Sequence, residues 1–163
     1  MNISRITYRQ QIKPSDLEAI ARIVKSSSFF SAAEIDLACE LAAEKLSDGN
    51  ACSYQFLFGE NENFVWGYTC FGLIPATAGS YDLYWIAVDD HLRAGGLGKQ
   101  LLKKTEEIIQ NAGGSHIYVE TSSRHQYQTT HKFYEICGYL EEALLKDFYA
   151  AGDSKVIYSK VII

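Results

Sequence analysis

The stretch Val88 to Leu102, VDDHLRAGGLGKQLL, is the part of the sequence that decides its fold. Three glycines, Gly95, Gly96 and Gly98, stand between an apolar run typical of a strand and a run with helical spacing. A glycine cluster that leads into a helix brings backbone N–H groups close to an anion, and the helix dipole adds to the attraction. The stretch therefore predicts a phosphate site where a strand is followed by a helix.

Two nucleotide-binding motifs place glycines at a similar junction, and neither fits. The dinucleotide motif G-x-G-x-x-G begins at Gly96 and Gly98 but has Leu101 where its third glycine belongs. For the P-loop, Gln100 stands where Ser or Thr is needed, and Arg93 where the first glycine is needed. The phosphate therefore belongs to another class of ligand.

The composition is that of an ordinary folded protein. A chain of 163 residues with 47% hydrophobic and 13% aromatic content has enough apolar surface for one domain with a core. The formal net charge of -5 disfavours a nucleic-acid partner, because that binding depends on clustered Lys and Arg. We expect a single domain over residues 1–163 and no nucleic-acid partner.

The sequence also lacks the signals of membrane, secreted and metal-binding proteins. Its N-terminal stretch has no apolar core with a small-residue cleavage site, and no run of about 18 apolar residues occurs. Cys39, Cys52, Cys70 and Cys137 lie far apart, and the histidines show no metal-ligand spacing. We expect a cytoplasmic protein with reduced thiols, no membrane partner and no metal.

Hydrophobic spacing predicts an α/β chain. A strand at ISRITY, residues 3–8, precedes two helices, each begun by a capping box, Ser15 with Glu18 and Ser31 with Glu34. A three-stranded meander follows, then a helix after the glycines, a strand, a fourth helix and a C-terminal hairpin. The meander is expected in SYQFLF, NFVWGYTCFGLI and YDLYWIAV, the next strand in HIYVET, and the hairpin arms in ALLKDFY and KVIYSKVI.

A longer motif gives the glycines a more specific meaning. Arg93, Gly96 and Gly98 form R-x-x-G-x-G, and FYEICGY at Phe133 to Tyr139 follows on a later helix. Together they resemble the GNAT family of N-acetyltransferases over roughly Tyr81 to Tyr139. The resemblance implies a mixed, mostly antiparallel central sheet of six or seven strands flanked by about four helices.

The resemblance also implies a cofactor. In the GNAT family the loop and the helix N-terminus hold the pyrophosphate of coenzyme A, so acetyl-CoA is the expected acetyl donor. This sequence departs from the family pattern at Ala94, where a glycine often follows the arginine, and at Gly95, where a larger residue is usual. The residues expected to bind the coenzyme are Ile86, Ala87, Val88, Arg93, Ala94, Gly95, Gly96, Leu97, Gly98 and Lys99.

Acetyl transfer needs a neutral amine, a polarised carbonyl and a proton for the departing thiolate. The resemblance makes Tyr134 the acid and the Val88 N–H the oxyanion donor, although Tyr134 also fits a packed aromatic of a helix. Glu120 is the first choice of base, because a glutamate serves on the corresponding strand of ribosomal-protein alanine acetyltransferases, which this region resembles. Its spacing to the tyrosine is longer here, so Asp82 and a water chain are alternatives.

The predicted function is N-acetyl transfer from acetyl-CoA to a primary amine by direct attack in a ternary complex. An acyl-cysteine intermediate is disfavoured, because Cys137, the cysteine near a motif, has no evident histidine activator. The alternative is a non-catalytic module that binds or senses acyl-CoA, which would need the glycine loop but neither Tyr134 nor Glu120.

The resemblance to the GNAT family also implies that the acceptor is recognised by the first two helices, their connection and the C-terminal hairpin. Aromatic rings beside a carboxylate hold an ammonium group by cation–π contact and ion pairing, although the two phenylalanines of the connection fit core positions equally well. The acceptor is a small-molecule or peptide amine, and a homodimer is one option. The candidate wall residues are Phe29, Phe30, Glu34, Phe148 and Tyr149.

Overall fold

The structure, a computed structural model, describes residues 5–93 and 95–163, which form seven strands and four α-helices. Short 3₁₀ turns lie at Gly49–Ala51, Asp90–Leu92 and His125–Tyr127. The strands are β1 (Thr7–Arg9), β2 (Gln55–Asn61), β3 (Phe64–Leu73), β4 (Ser80–Val88), β5 (His116–Ser122), β6 (Leu140–Ala150) and β7 (Asp153–Val161). The helices are α1 (Asp16–Ser26), α2 (Ala32–Asp48), α3 (Leu97–Asn111) and α4 (Gln128–Ile136).

The strands form one sheet in the order β1-β2-β3-β4-β5-β7-β6. The pairs β1–β2, β2–β3, β5–β7 and β6–β7 are antiparallel, whereas β4 and β5 are parallel. The parallel ladder joins Ser80 with His116 and continues to Asp82 with Tyr118. The predicted mixed, mostly antiparallel sheet with four helices is confirmed.

Among the described residues the chain divides into two compact units. The first contains residues 5–72, 85–93 and 95–105, and the second contains residues 73–84 and 106–163. Strand β4 therefore gives its residues 80–84 to the second unit and 85–88 to the first. The single-domain organisation stays a prediction.

The core of the first unit lies between helices α1 and α2 and strands β2 and β3. The two helices have their apolar side chains at the three- and four-residue spacing that gives one face. In β2, side chains two residues apart, such as Phe56 and Phe58, point into the same core. Three aromatic rings, Phe56, Phe58 and Tyr68, stack side by side across the two strands. The helical residues in this cluster are Ile20, Ile23, Val24, Ala38 and Ala42.

Helix α3 packs on strands β2 and β3 through small and matched side chains. A Cβ atom placed on Gly67 would lie 2.9 Å from the Leu101 side chain and 3.0 Å from the Ala87 carbonyl oxygen. Deeper along the helix, the hydroxyls of Thr69 and Thr105 form a buried hydrogen bond of 2.8 Å. The glycine therefore permits the close approach of α3 to the sheet, and the threonine pair fixes its register.

The core of the second unit is built by β5, β7, α3 and α4. Ile117 and Val119 are buried on β5, and Val119 is in register with a buried Tyr158 on β7 that stacks on Tyr134 of α4. None of the helices in the described part of the chain is long and apolar enough to cross a membrane.

The two predicted capping boxes have different outcomes. The box at Ser31 and Glu34 is confirmed, because the Glu34 N–H donates to the Ser31 hydroxyl and the Ser31 N–H donates to the Glu34 carboxylate at 2.7 Å. The box at Ser15 is wrong, because Ser15 has helical dihedrals and its side chain caps nothing. The buried Asp16 carboxylate accepts the Lys13 N–H at 2.7 Å instead.

The first predicted strand is confirmed only in part. Strand β1 covers Thr7–Arg9. Ile3 and Ser4, at the start of the predicted strand, lie outside the described residues.

Removal of the two serine hydroxyls tests this difference in capping. We expect Ser31→Ala to lower the free energy of unfolding by about 1 kcal/mol, because the Glu34 N–H in the first turn of α2 loses its acceptor, the Ser31 hydroxyl. The matched Ser15→Ala change should cost less than about 0.5 kcal/mol, because that hydroxyl makes no capping bond. Urea denaturation measures both, and an equal loss in the two variants contradicts the assignment.

Candidate active site

The glycine stretch lies between the end of β4 and the start of α3, as predicted. The first helical hydrogen bond of α3 runs from the Gln100 N–H to the Gly96 carbonyl, at 3.1 Å. The N–H groups of Leu97, Gly98 and Lys99 precede that bond, so the helix itself gives them no acceptor. Together with the positive end of the helix dipole, they form a site suited to an anion.

Gly96 makes this helix start possible through its backbone conformation. Its φ is +89°, a region that favours glycine, and an added Cβ would meet no atom within 4 Å. Gly95 and Gly96 are both exposed, so a ligand can approach the backbone directly. Ala94, one of the predicted coenzyme residues, lies outside the described residues.

A buried carboxylate anchors the turn before the glycines. Asp89 is 3% exposed, and its side chain accepts the His91 N–H at 3.1 Å and forms an ion pair with Arg22 of α1. Its own N–H donates to the Trp66 carbonyl oxygen at 2.8 Å. Sequence reasoning missed Asp89 and Arg22, because the signal is a single Asp after a strand and its partner lies far away in the chain.

The structure brings together two residues predicted for different roles. The guanidinium of Arg93, assigned to the coenzyme, lies 5.2 Å from the ring centre of Phe29, assigned to the acceptor. Arg93 also pairs with Asp90 at 3.2 Å. The Arg93 side chain is half-exposed, so these contacts hold it near the glycine loop and leave it open to solvent.

Two other predicted acceptor residues have structural tasks. Phe30 packs edge-on against Trp85, with ring centres 4.9 Å apart, at the margin of the first unit's core. The Glu34 carboxylate accepts a hydrogen bond in the capping box of α2. These contacts favour the core alternative for Phe30, and an acceptor role for either residue stays a prediction.

Tyr134 of α4 lies in an aromatic cluster of the second unit. It is 3% exposed, with ring centres of Phe133, Tyr139 and Tyr158 at 5.4, 5.5 and 6.0 Å. Burial raises the pKa of the Tyr134 phenol well above its ordinary value, so the group keeps its proton at neutral pH. This environment keeps the phenol in the protonated form that a proton donor needs, and it fits a packed aromatic equally well.

The two candidate bases lie near each other on the second unit's sheet. Glu120 of β5 is half-exposed and pairs with the Lys155 ammonium of β7 at 2.6 Å. Asp82 of β4 is half-buried, and burial and the charge of Glu120 raise its pKa, while Lys155 opposes the shift.

Lys155 connects Glu120 to the predicted acceptor residues of the hairpin. Its Nζ lies 3.8 Å from the ring centre of Phe148 and 5.9 Å from that of Tyr149, both on β6. The structure therefore brings Glu120, Phe148 and Tyr149 together around one ammonium group. Sequence reasoning missed Lys155, because a lysine at the start of a hairpin arm is typical of a solvated surface.

Two other features of the described residues lie apart from the predicted site. Residues 5–93 and 95–163 contain no group of three His, Cys, Asp or Glu side chains placed to hold a metal ion. A cavity of about 450 Å³ lies beside α1, but none of the predicted site residues lines it. Its charged walls are largely neutralised, because Arg9 pairs with both Asp16 and Glu60 at 2.9 Å.

The glycine loop at the start of α3 and the fold around it match a known family. The profile described as the Acetyltransferase (GNAT) family matches residues 17–139. This chain belongs to the GNAT family of acetyltransferases. A solved acetyltransferase assigned to that family, from Desulfovibrio desulfuricans, is 42% identical, with 97% of this chain and 99% of that chain covered and a TM-score of 0.95.

More distant GNAT-fold enzymes share the fold. An aminoglycoside 6'-N-acetyltransferase solved with coenzyme A is 15% identical, with 96% of this chain and 97% of that chain covered and a TM-score of 0.75. The ribosomal-protein alanine N-acetyltransferase of Escherichia coli is 17% identical, with 96% and 94% covered and a TM-score of 0.73. Among proteins of curated function, none matches this sequence significantly.

Replacing Gly96 tests the α3 N-terminus as the coenzyme site. We expect Gly96→Ala to weaken coenzyme A binding about tenfold in calorimetric titration, because the strained residue moves the first-turn N–H groups. Gly152→Ala is the matched control, since Gly152 also has a positive φ, +79°, with no atom within 4 Å of an added Cβ. Unchanged affinity in Gly96→Ala, or an equal loss in both variants, contradicts the assignment.

Proposed function

We propose that this protein transfers the acetyl group of acetyl-CoA to a primary amine by direct attack in a ternary complex. The observation that carries the proposal is the start of α3, where three N–H groups precede the first helical bond behind an exposed Gly96. The pyrophosphate of the coenzyme is the anion assigned to this site. Family membership and a fold neighbour solved with coenzyme A support the assignment.

Within the proposal, the end of β4 receives the rest of the coenzyme. Ile86, Ala87 and Val88 are half-buried and lead into the anchored turn at Asp89. We assign the pantetheine arm to their backbone, and the oxyanion of the tetrahedral intermediate to the Val88 N–H. Arg93 and Lys99 supply positive charge on either side of the glycines.

The proposed reaction balances with two protein groups. The acceptor ammonium gives a proton to the base, and the neutral nitrogen then attacks the thioester carbonyl carbon. The carbon–sulfur bond breaks as the intermediate collapses, and the departing thiolate takes the proton of the Tyr134 phenol. The acetylated nitrogen then gives up its second proton, which returns through solvent to the Tyr134 oxygen, and the base releases the first proton to solvent. The products are the N-acetylated amine and coenzyme A.

Thiol release from acetyl-CoA across amines, amino acids, polyamines, aminoglycosides and peptides tests the proposed function. We expect release with one acceptor class, and a kcat reduced about 10²-fold or more in Tyr134→Phe, because the proton donor is lost. Tyr158→Phe is the matched control, since it removes a hydroxyl from the ring stacked on Tyr134.

Two results would contradict this proposal. If coenzyme A binds but no amine of the panel causes thiol release, the result would favour an acyl-CoA binding or sensing module. An equal loss in Tyr134→Phe and Tyr158→Phe would assign Tyr134 to packing.

Glu120 is the proposed base. Asp82 is the alternative, and its raised pKa supports that role. A base acts in its deprotonated form, so kcat/KM falls as the pH drops through its pKa. The two residues respond differently to Glu120→Gln. If Glu120 is the base, the fall of kcat/KM at low pH disappears in this variant. If Asp82 is the base, loss of the neighbouring negative charge lowers the pKa of Asp82, so the fall of kcat/KM moves to lower pH.

We therefore expect Glu120→Gln to lower kcat/KM about 10²-fold or more and Asp82→Asn to lower it less than about tenfold. The measurement is the pH profile of thiol release for the wild type and both variants. A large loss in Asp82→Asn, with an acid limb at lower pH in Glu120→Gln, assigns the base to Asp82. A small loss of kcat/KM in both variants indicates that a water chain takes the proton of the acceptor ammonium.

The proposal also includes the acceptor class, the oligomeric state and the location of the protein. The acceptor class is a primary amine, either a small molecule or a peptide. A homodimer stays a prediction, which β6 supports as an edge strand with exposed Leu140 and Leu144. The cytoplasmic location also stays a prediction.

A further inference from the structure

One ammonium group in the second unit is enclosed by two kinds of cation-binding partner. The Nζ of Lys155 lies 2.6 Å from a Glu120 carboxylate oxygen and 3.8 Å from the ring centre of Phe148, with Tyr149 at 5.9 Å. The carboxylate supplies an ion pair and the ring faces supply cation–π attraction. This arrangement, which we call the ammonium cage, is what a protein uses to bind an alkylammonium ligand.

The cage exists because the C-terminal hairpin is irregular. The β6–β7 register shifts between Leu145 and Ala150, so β6 carries extra residues there. Asp147 has a φ of +53°, and its carboxylate accepts the Gly152 N–H at 2.8 Å, which holds the bulge. The bulge presents Phe148 and Tyr149 to Lys155, where a regular strand would alternate them between faces.

The walls of the cage are open to solvent, although the lysine is not. Glu120, Phe148 and Tyr149 are 51%, 52% and 48% exposed, whereas the Lys155 side chain is 12% exposed. A ligand therefore reaches the walls freely. The walls also hold more negative charge than Lys155 neutralises, because Asp82 lies close enough to feel the charges of both Glu120 and Lys155.

We infer that the ammonium cage of Glu120, Phe148 and Tyr149 is the subsite for the acceptor's ammonium group, and that Lys155 is a built-in competitor for it. This inference rests on the proposed N-acetyltransferase function and names its substrate class, a cationic primary amine with an alkyl arm. An amine in the cage lies against the proposed base Glu120, where its proton is taken. Lys155 is thus a specificity-determining residue, since only an acceptor that displaces it binds.

Competition of this kind has a defined direction. The binding-competent state is the one in which the Lys155 side chain has left the cage, so apparent affinity falls by the fraction of molecules in that state. A partly exposed ion pair and a cation–π contact together make this fraction about one tenth. Removing the lysine's charge therefore strengthens the binding of an alkylammonium probe, where loss of a merely structural lysine leaves that affinity unchanged.

The experiment titrates n-butylammonium chloride into ¹⁵N-labelled protein at constant ionic strength, following the amide signals of Glu120 and Ile157. We expect Lys155→Met, which keeps the side-chain volume, to lower the apparent Kd about tenfold. Lys155→Arg keeps a competing cation and should stay within about twofold of the wild type. Glu120→Gln should weaken binding, because the carboxylate is lost.

Controls separate the cage from general charge and folding effects. Lys146→Met makes the same charge change at an exposed position of the same hairpin and should leave the Kd within about twofold of the wild type. Lys155→Gln is a second charge-removing variant, used if thermal unfolding shows that Lys155→Met is not folded. An unchanged or raised Kd in the folded charge-removed variant, or an equal gain in Lys146→Met, overturns the inference.

This test is independent of acetyl transfer, because it contains no acetyl-CoA. Tighter n-butylammonium binding in Lys155→Met supports the subsite even if no amine in the activity panel is acetylated, in which case only the proposed function fails. The converse result is an active wild type together with a Lys155→Met variant that has the same Kd for n-butylammonium as the wild type. That result supports the proposed function and contradicts the role of Lys155 as a competitor.

Discussion

The fold around the candidate coenzyme site depends on the absence of a side chain at position 67. A Cβ there would lie 2.9 Å from Leu101 of α3 and 3.0 Å from the Ala87 carbonyl oxygen of β4. Because Gly67 leaves this space empty, α3 settles close to β3 while the end of β4 passes beside it. The start of α3 and the last residues of β4 are the two segments assigned to the coenzyme, so one close contact fixes both.

The turn between those segments is held by charge. Asp89 is buried with an N–H donor from His91 and a guanidinium from Arg22, which compensates for the cost of removing the carboxylate from water. The anchored turn then delivers the chain to Gly96, whose positive φ starts the helix. A rigid support beneath the backbone N–H groups at the start of α3 is a favourable way to bind a polyanion, because little conformational freedom is lost on binding.

In the proposed function, the second unit binds the cationic acceptor and the first unit binds the anionic coenzyme. Its exposed sheet positions carry Asp82, Glu120 and Lys155, and the bulge in β6 adds two aromatic rings. An amine acceptor and a phosphate-bearing donor therefore each have a surface of matching chemistry. The net charge of -5 gives no hint of this division, because it is a sum over the whole chain.

Local rules were sufficient for much of this protein. The apolar periodicities predicted the helices and strands, the Ser31 box formed as its residues require, and R-x-x-G-x-G with the tyrosine helix led to the family. Tertiary structure decided what no local pattern contains. Ser15 has helical dihedrals and caps nothing, Phe30 packs on Trp85, and Arg22 pairs with Asp89 far along the chain. Glu34 uses its carboxylate in the capping box of α2. Lys155 met Glu120 and Phe148 only because three strands and a bulge bring distant residues within ångströms, and such contacts depend on register, which a sequence pattern does not fix.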